Sequence, residues 1–475
     1  MSKINTNVQS LLATRVLNRN NSSLNQALER LSTGLRINTG KDDPSGLIAS
    51  ESLRSSKVAI TAAVDNAERA NNIVAIAEGG LQEISSLLLE LEDLIDRSAN
   101  EAGLSDQEVE ANQLQIDTIL QSINRIADTT EFAGTKLING NYDFTLSGTT
   151  SSDQNISAVQ VNAAKIPEGS TRTVTVQISV ASEFGLVSAT GGGTGGSLST
   201  ATTLQIRGNY GTEVLSFASG ATVTQMANAV NGSTQLTGVS AVTSGTMLQF
   251  TSTDYGSDAL VSVEVLSGSF NTNVTEDRGV NGTVTINGAA ATVDGLNASV
   301  RSGSLSADIV MAQAFARMQS SSSQADFEIT GGGAVFAISP TVGLVGQESL
   351  GLQSVSTGSL GNGVTGYLSS LGRGESNDLA SQNFATAQRI IRAATNQVSS
   401  LRGRIGAFQK DTLTTTINSL EIAYENTAAA ESAIRDADFA VETSNLTRAQ
   451  ILVQSATSTL QLANASPQNV LALLG

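Results

Sequence analysis

The stretch AVDNAERANNIVAIAEGGLQEISSLLLELEDLI, residues 63–95, decides how the chain reads. Ala63, Ala67, Ala70, Val74, Ala77, Leu81, Ile84, Leu88, Leu91 and Ile95 follow one another at spacings of 4 and 3 in strict alternation. A strand repeats every second residue, so a sustained repeat of this kind marks a helix with a coiled-coil seam. The seam passes through Gly79-Gly80 without losing phase. Ile73, Ile76, Leu87 and Leu94 add a second apolar face, which predicts packing against more than one neighbour.

The far end of the chain answers in kind. Ile391, Ala394, Val398, Leu401, Ile405 and Phe408 keep the same spacing, and Leu413, Ile417, Leu420 and Tyr424 resume it after a phase shift. A further helix carries Val109, Ile116, Leu120, Ile123 and Ala127 on one side. Between the flanks the composition changes: of 44 glycines, 34 lie from Gly140 to Gly374. Here Val174, Val176, Ile178 and Val180 alternate with polar residues, as do Val261, Val263 and Val265, which is strand period. Residues 203–266 read as a ββαββ module. Asn287-Gly288 reads as a hairpin turn, and 188–200 as a flexible Gly-rich linker. The expected fold class is α + β multidomain, a long antiparallel coiled-coil bundle formed by both termini with β-rich domains inserted in the middle. The expected divisions are 1–44 with 430–475, terminal helices; 45–165 with 335–429, a long-helix bundle with β-hairpin elements; and 166–334, the β-rich insert.

Near the N-terminus the helix spacing of Leu28, Leu31 and Leu35 runs into Asn38, Gly40 and the pair Asp43-Pro44. Asp followed by Pro is the signature of an N-cap and a first helical residue, so one helix ends here and another begins. The two extreme ends are uncharged, from Ile4 to Thr14 and over the 27 residues from Ala449 to Gly475. Within them Val8, Leu11 and Leu12 are apolar, and Ala449, Val453, Ala456, Leu460 and Ala463 keep heptad spacing. Ser466-Pro467 reads as the cap and first residue of a last short helix. Exposed helix faces ordinarily carry charge, so neutral ends predict burial against other copies of the chain.

Composition excludes much else. The chain has no His and no Cys, which removes the usual metal ligands, thiol nucleophiles and Ser-His dyads. No catalytic, metal or cofactor site is expected. A net charge of −17 opposes binding to nucleic acid or to anionic membranes, and no apolar run is long enough to span a bilayer. The first 30 residues lack the apolar core of a cleaved signal peptide. The Gly-rich GGGTGG lacks the Lys-Ser/Thr ending of a phosphate loop. Asn-Gly-Ser at 231–233 and Asn-Gly-Thr at 281–283 match the N-glycan acceptor pattern.

The flanks together resemble a bacterial flagellin. The resemblance rests on INTNVQSLLA (4–13), LERLSTGLRINTGKDDPSGLIASESL (28–53), EFAGTKLING (131–140), SLRGRIGAFQ (400–409), AAAESAIRDADFAVETSNLTRAQIL (428–452) and SPQNVLALLG (466–475). It covers about 240 residues at the two ends, and the 203–266 module resembles a repeat often inserted in flagellins and hook-associated proteins. It implies a homopolymer exported through the flagellar apparatus without a cleaved signal, escorted by an export chaperone. It also implies contact with filament cap and hook-associated proteins, and an extracellular location in the flagellum. The two termini would build an inner tube, the long helices a surrounding layer, and the insert the outside. The self-assembly interface would then include Val8, Leu11, Leu12, Leu28, Leu31, Leu35, Leu446, Val453, Leu460 and Leu473. Asn38, Gly40, Asp43 and Pro44 would form the joint between layers. Flagellins sensed by the Toll-like flagellin receptor carry Gln-Arg-x-Arg-Glu-Leu-Ala on the first long helix. The aligned LELEDLI (89–95) places Glu90 and Glu92 at the Arg positions and keeps Leu94, which implies weakened recognition. Two alternatives are a hook–filament junction protein, which shares both terminal patterns, and a surface adhesin with a β-rich binding insert.

Overall fold

The computed structural model describes residues 7–100, 105–148, 155–167, 169–191, 196–318, 324–363 and 365–474, and the side chains of 466–474 lie outside the described set. Helices dominate both ends: α1 (Val8–Thr33), α2 (Pro44–Ser98) and α3 (Asp106–Thr129) come first. The middle holds three short helices, α4 (Val223–Gly232), α5 (Thr234–Thr237) and α6 (Gln313–Ala316). The last three are α7 (Phe384–Ala407), α8 (Thr415–Arg435) and α9 (Phe439–Leu474), with a π-helix, Phe408–Thr414, between α7 and α8. The chain divides into two compact units. One comprises Met1–Arg69, Ala337–Val342 and Lys410–Gly475; the other comprises Ala70–Phe336 and Gly343–Gln409.

In the second unit the heptad seam is the core. Val74, Ala77, Leu81, Ile84, Leu88 and Leu91 are each fully buried, against Ile116 and Ile123 of α3 and Ile390, Ala394, Val398, Leu401 and Ile405 of α7. Ionic pairs at the edge of the seam fix the antiparallel direction: Glu78–Arg402 at 2.8 Å and Glu92–Arg392 at 3.1 Å. Gln388 adds a hydrogen bond to Asp96 at 2.9 Å. Gly79-Gly80 leaves α2 unbroken, and its second member has a steric reason. A Cβ on Gly80 would lie 2.6 Å from Thr130 Oγ1 and 3.1 Å from Ile138 Cδ1. The closeness of that approach outweighs glycine's poor helix propensity.

The β-rich middle forms two cores. One sheet orders strands Ala289–Ala290, Thr283–Ile286, Arg172–Val180, Gln324–Gly332 and Phe144–Ser147; it shares an apolar core with a sheet of Thr292–Asp294, Asn297–Arg301, Leu305–Met311 and Ile156–Ala164. Val174, Val176 and Ile178 point into this core, whereas Val180, at the strand end, is 48% exposed. The hairpin turn sits at Asn287-Gly288, both with positive φ, and Asn287 Oδ1 accepts from Thr175 N. The second core joins the sheet Phe270–Thr272, Leu186–Gly191, Met247–Ser252, Val239–Ser244 to the sheet Glu276–Arg278, Leu260–Ser267, Thr202–Arg207, Thr212–Phe217. From Thr202 to Ser267 the order is strand, strand, α4 with α5, then the three strands Val239–Ser244, Met247–Ser252 and Leu260–Ser267, one strand more than the ββαββ reading of 203–266, and the hairpins Thr202–Phe217 and Val239–Ser252 fall in different sheets. Residues 192–195 of the Gly-rich 188–200 stretch lie outside the described residues.

Two sequence expectations are corrected. Tyr424 is 42% exposed with Lys57 Nζ 5.5 Å over its ring; Ala423 occupies the seam with Ile60, Ala63 and Leu420. Ser466-Pro467 opens no separate helix, because α9 continues to Leu474. Proline removes the amide that would bond the carbonyl four residues back, at Ala463. That carbonyl instead accepts from Asn7 Nδ2 at 2.8 Å, so the helix passes the proline with its acceptor satisfied.

Candidate functional site

In the first unit α1 and α9 run antiparallel, tied at three levels. Asn7 Nδ2 donates to the Ala463 carbonyl, Asn20 Nδ2 to the Leu452 carbonyl at 3.2 Å, and Arg30 pairs with Glu442 at 3.2 Å. Asn7 works twice: its Oδ1 also caps α1 by accepting from Ser10 N at 3.1 Å. Replacing Asn7 by Ala removes the cap and leaves the Ala463 carbonyl without its donor. We expect a loss of about 1–2 kcal/mol in the thermal stability of the terminal pair. It would be read as early loss of helical circular dichroism, and an unchanged transition would refute the double role.

The packed face of α1 is Ser10, Ala13, Leu17, Asn20, Leu24, Ala27 and Leu31, spaced 3 and 4 apart, with Ala13 and Ala27 buried and the rest half-buried. Opposite stand Ala449, Ala456 and Ala463, buried, with Val453 and Leu460 half-buried. The larger apolar residues face outward. Val8 is 68%, Leu11 64%, Leu12 51% and Leu28 45% exposed; on α9 Ile451 and Leu462 are 63% and 73% exposed. Leu31, Leu35 and Leu446 are half-buried, and the Leu473 side chain lies outside the described residues. The structure therefore separates the predicted interface residues into two sets. Leu31, Val453 and Leu460 serve the intramolecular seam, and Val8, Leu11, Leu12 and Leu28 form an open apolar face. Exposed apolar side chains grouped like those of Val8, Leu11 and Leu12 mark an interaction surface. Periodicity-based reading missed the seam of α1 because its members are small or polar; the 3/4 spacing of Ser10, Ala13, Leu17, Asn20, Leu24 and Ala27 was the available signal.

The connection between α1 and α2 is held throughout. Gly34, with φ +71°, ends α1 in the left-handed conformation. Asp42 Oδ2 accepts from the amides of Asn38 and Thr39. Asp43 Oδ1 accepts from the amides of Gly46 (3.0 Å) and Ser45 (3.1 Å), capping α2 at Pro44. The Gly46 amide above all holds the Asp43 carboxyl below the usual range. Gly40 needs no special freedom, since a Cβ there would meet only Leu47 Cδ2 at 3.7 Å. Gly46 is the constrained glycine: its Cβ would lie 2.5 Å from Asp43 Oδ2 and 2.6 Å from Ile37 Cδ1, and Ile37 is buried.

This connection docks on the equivalent break between α8 and α9. Leu35 bridges Asp436, Arg36 N donates to the Arg435 carbonyl at 2.7 Å, and Ala437 N donates to the Gly34 carbonyl at 2.9 Å. Arg36 Nη2 also closes the end of α8 through the Ile434 carbonyl at 2.6 Å. Two helix breaks from opposite ends of the chain thus pair backbone to backbone.

On α2, Glu90 is exposed, Glu92 is paired with Arg392, and Leu94 is only 7% exposed within the helical core. Asp93 pairs with Arg97 at 2.8 Å, one turn on. Both glycan-pattern asparagines are already engaged. Asn231 exchanges two hydrogen bonds with the Ala241 backbone, and Asn281 accepts from Gly295 N and donates to Ser257 Oγ.

Comparison with known proteins agrees with this architecture. Residues 4–143 match the family model of the bacterial flagellin N-terminal helical region, and 388–474 that of the C-terminal helical region. B-type flagellin of Pseudomonas aeruginosa is 28% identical over 494 residues, covering 99% of each chain. Flagellin B of Vibrio cholerae is 27% identical over 476 residues, again covering 99% of each. Flagellin E of Vibrio cholerae is 44% identical over 139 residues, which are 29% of this chain and 36% of that relative, so this match spans about a third of the relative's length. With helical flagellin regions at both ends and full-length relatives across the whole, the chain belongs to the bacterial flagellin family.

Proposed function

We propose that the chain is the structural subunit of a flagellar filament, exported from the cell and polymerised for motility. The observation that carries this reading is the open apolar face of α1 and α9, with Leu11 and Leu462 each more than 60% exposed. Covering one leucine in such a face is worth about 1.5–3 kcal/mol, so stacking of many copies supplies a driving force that the single chain leaves unused. In this reading 1–44 with 430–475 line the inner tube, 45–165 with 335–429 form the layer around it, and 166–334 face outward. The 38–44 connection carries the chain between the layers. An export chaperone covers the apolar C-terminal segment before export, the passage uses the flagellar export apparatus without a cleaved signal, and cap and hook-associated proteins meet the growing polymer.

The test is seeded polymerisation. Purified full-length chain, mixed with short filament fragments or salted out, should give long filaments by electron microscopy. A chain that stays monomeric with seeds would point instead to the junction protein or the adhesin.

The reading extends to the Toll-like flagellin receptor, with recognition weakened. Glu90 and Glu92 stand where Arg would be, and Glu92 is occupied by Arg392 on the same chain. Reversing charge at a contact costs several kcal/mol. The double substitution Glu90→Arg, Glu92→Arg should raise receptor activation by purified monomer at least about tenfold. Equal activation by both chains would refute this.

A further inference from the structure

Four strands end the two sheets of the second β core, and three of them resist further pairing. Phe270–Thr272 is three residues long, and Glu276–Arg278 is three residues long with every one charged. Val239–Ser244 is longer, at six residues, but side chains cover its outer edge. Asn231 acts there as a peptide group would: its Nδ2 donates to the Ala241 carbonyl at 3.0 Å and its Oδ1 accepts from Ala241 N at 2.8 Å. Thr234 Oγ1 donates to the Val239 carbonyl at 3.0 Å, and Thr237 Oγ1 accepts from Val239 N at 3.2 Å. Short length, charge and covered backbone are the devices by which a sheet avoids pairing with another chain.

The fourth edge, Thr212–Phe217, has none of these among the described residues. It is six residues long, pairs with Thr202–Arg207 on one side and ends its sheet on the other. Its sequence TEVLSF holds one charge, Glu213, and no Lys or Pro. Leu215 and Phe217 pack against the core, whereas Thr212, Val214 and Ser216 are exposed, Val214 to 49%. An uncovered strand of this length is a template for a further strand.

We propose that Thr212–Phe217 pairs antiparallel with the same strand of a second copy of this chain, merging two four-stranded sheets into one. The strand is complementary to itself. About a two-fold axis at Val214, Val214 meets Val214 and Thr212 meets Ser216, pairs that stabilise neighbouring strands. Glu213 then stands opposite Leu215, so the two carboxylates are not opposed, in a chain whose net charge of −17 otherwise sets copies against one another. A contact of this symmetry closes on two copies and does not propagate, so it is separate from filament growth and does not rest on the filament reading.

The test uses the full-length chain without seeds. The chain has no Cys, so a single introduced one reports only its own contacts. Val214→Cys should give a disulfide-linked dimer on mild oxidation, while Val242→Cys, on the covered strand and 57% exposed, should stay monomeric. Val214→Lys, which sets two ammonium groups opposite one another, should weaken the dimer seen by sedimentation about tenfold or more. Val242→Lys should leave it unchanged. A parent chain that sediments as a monomer at every concentration overturns the pairing. Equal cross-linking through positions 214 and 242, or equal weakening by the two Lys variants, overturns it too. Should Val214→Lys lose the native circular dichroism, the two Cys variants decide alone. Seeded elongation of the parent is a separate readout, and its failure sinks the filament reading while leaving the pairing in place.

Discussion

A chain ending at Arg448 should fold and fail to polymerise. Removing residues 449–475 takes away Ala449, Val453, Ala456, Leu460 and Ala463, which are buried or half-buried where α9 packs along α1. It also removes the outward Ile451 and Leu462. The helical core of the second unit contains no residue from this segment, the last of its buried members being Ile405. Circular dichroism should therefore fall only in proportion to the helix deleted, and the main unfolding transition should stay where it is. Seeded elongation should drop below detection, because each copy loses one helix of the interface and its α1 loses the partner that orders it. A truncated chain that still elongates from seeds would refute the assignment of the interface to the terminal pair.

Leu88→Ala should be among the most damaging single substitutions. Leu88 is fully buried in the cluster formed by α2, α3 and α7. Truncating a buried leucine to alanine costs about 2–5 kcal/mol, through lost transfer energy and the cavity left behind. Long rigid helices relax poorly around such a gap, which favours the upper part of that range. The urea midpoint should fall with little change in slope, since the surface exposed on unfolding is nearly the same. A loss below about 1 kcal/mol would mean that the seam repacks around the gap. Leu89→Ala is the matched control: the neighbouring side chain is 58% exposed and its loss should be nearly silent.

Much of this molecule is written in one dimension. The 3/4 spacing of Ala63 to Ile95 and of Ile391 to Ile405 specifies two helices with one buried stripe each. Only a helix returns the same face at that period. The step from Phe408 to Leu413 likewise marks a shift of phase, and the π-helix lies there. Alternation at Val174, Val176 and Ile178 specifies a strand, and Asn287-Gly288 the turn that pairs its neighbours.

Tertiary structure decided the rest, because it depends on atoms brought together from distant positions. On α1 two stripes share the helical period, and hydrophobicity alone favours the one with Val8, Leu11 and Leu12. The chain pairs the other: Ala13 and Ala27 are buried on α1, as Ala449, Ala456 and Ala463 are on α9, while Val8, Leu11 and Leu12 stay exposed. Pro467 reads locally as a helix start. Asn7, 456 residues away from Ala463 along the sequence, supplies the donor that lets α9 continue past it. Gly80 reads locally as a weak point in α2, until Thr130 and Ile138 occupy the space its side chain would need. Period and turn chemistry are local and legible. The choice of face, and which breaks in a helix are tolerated, follow from close packing and from hydrogen-bond partners that only the folded chain provides.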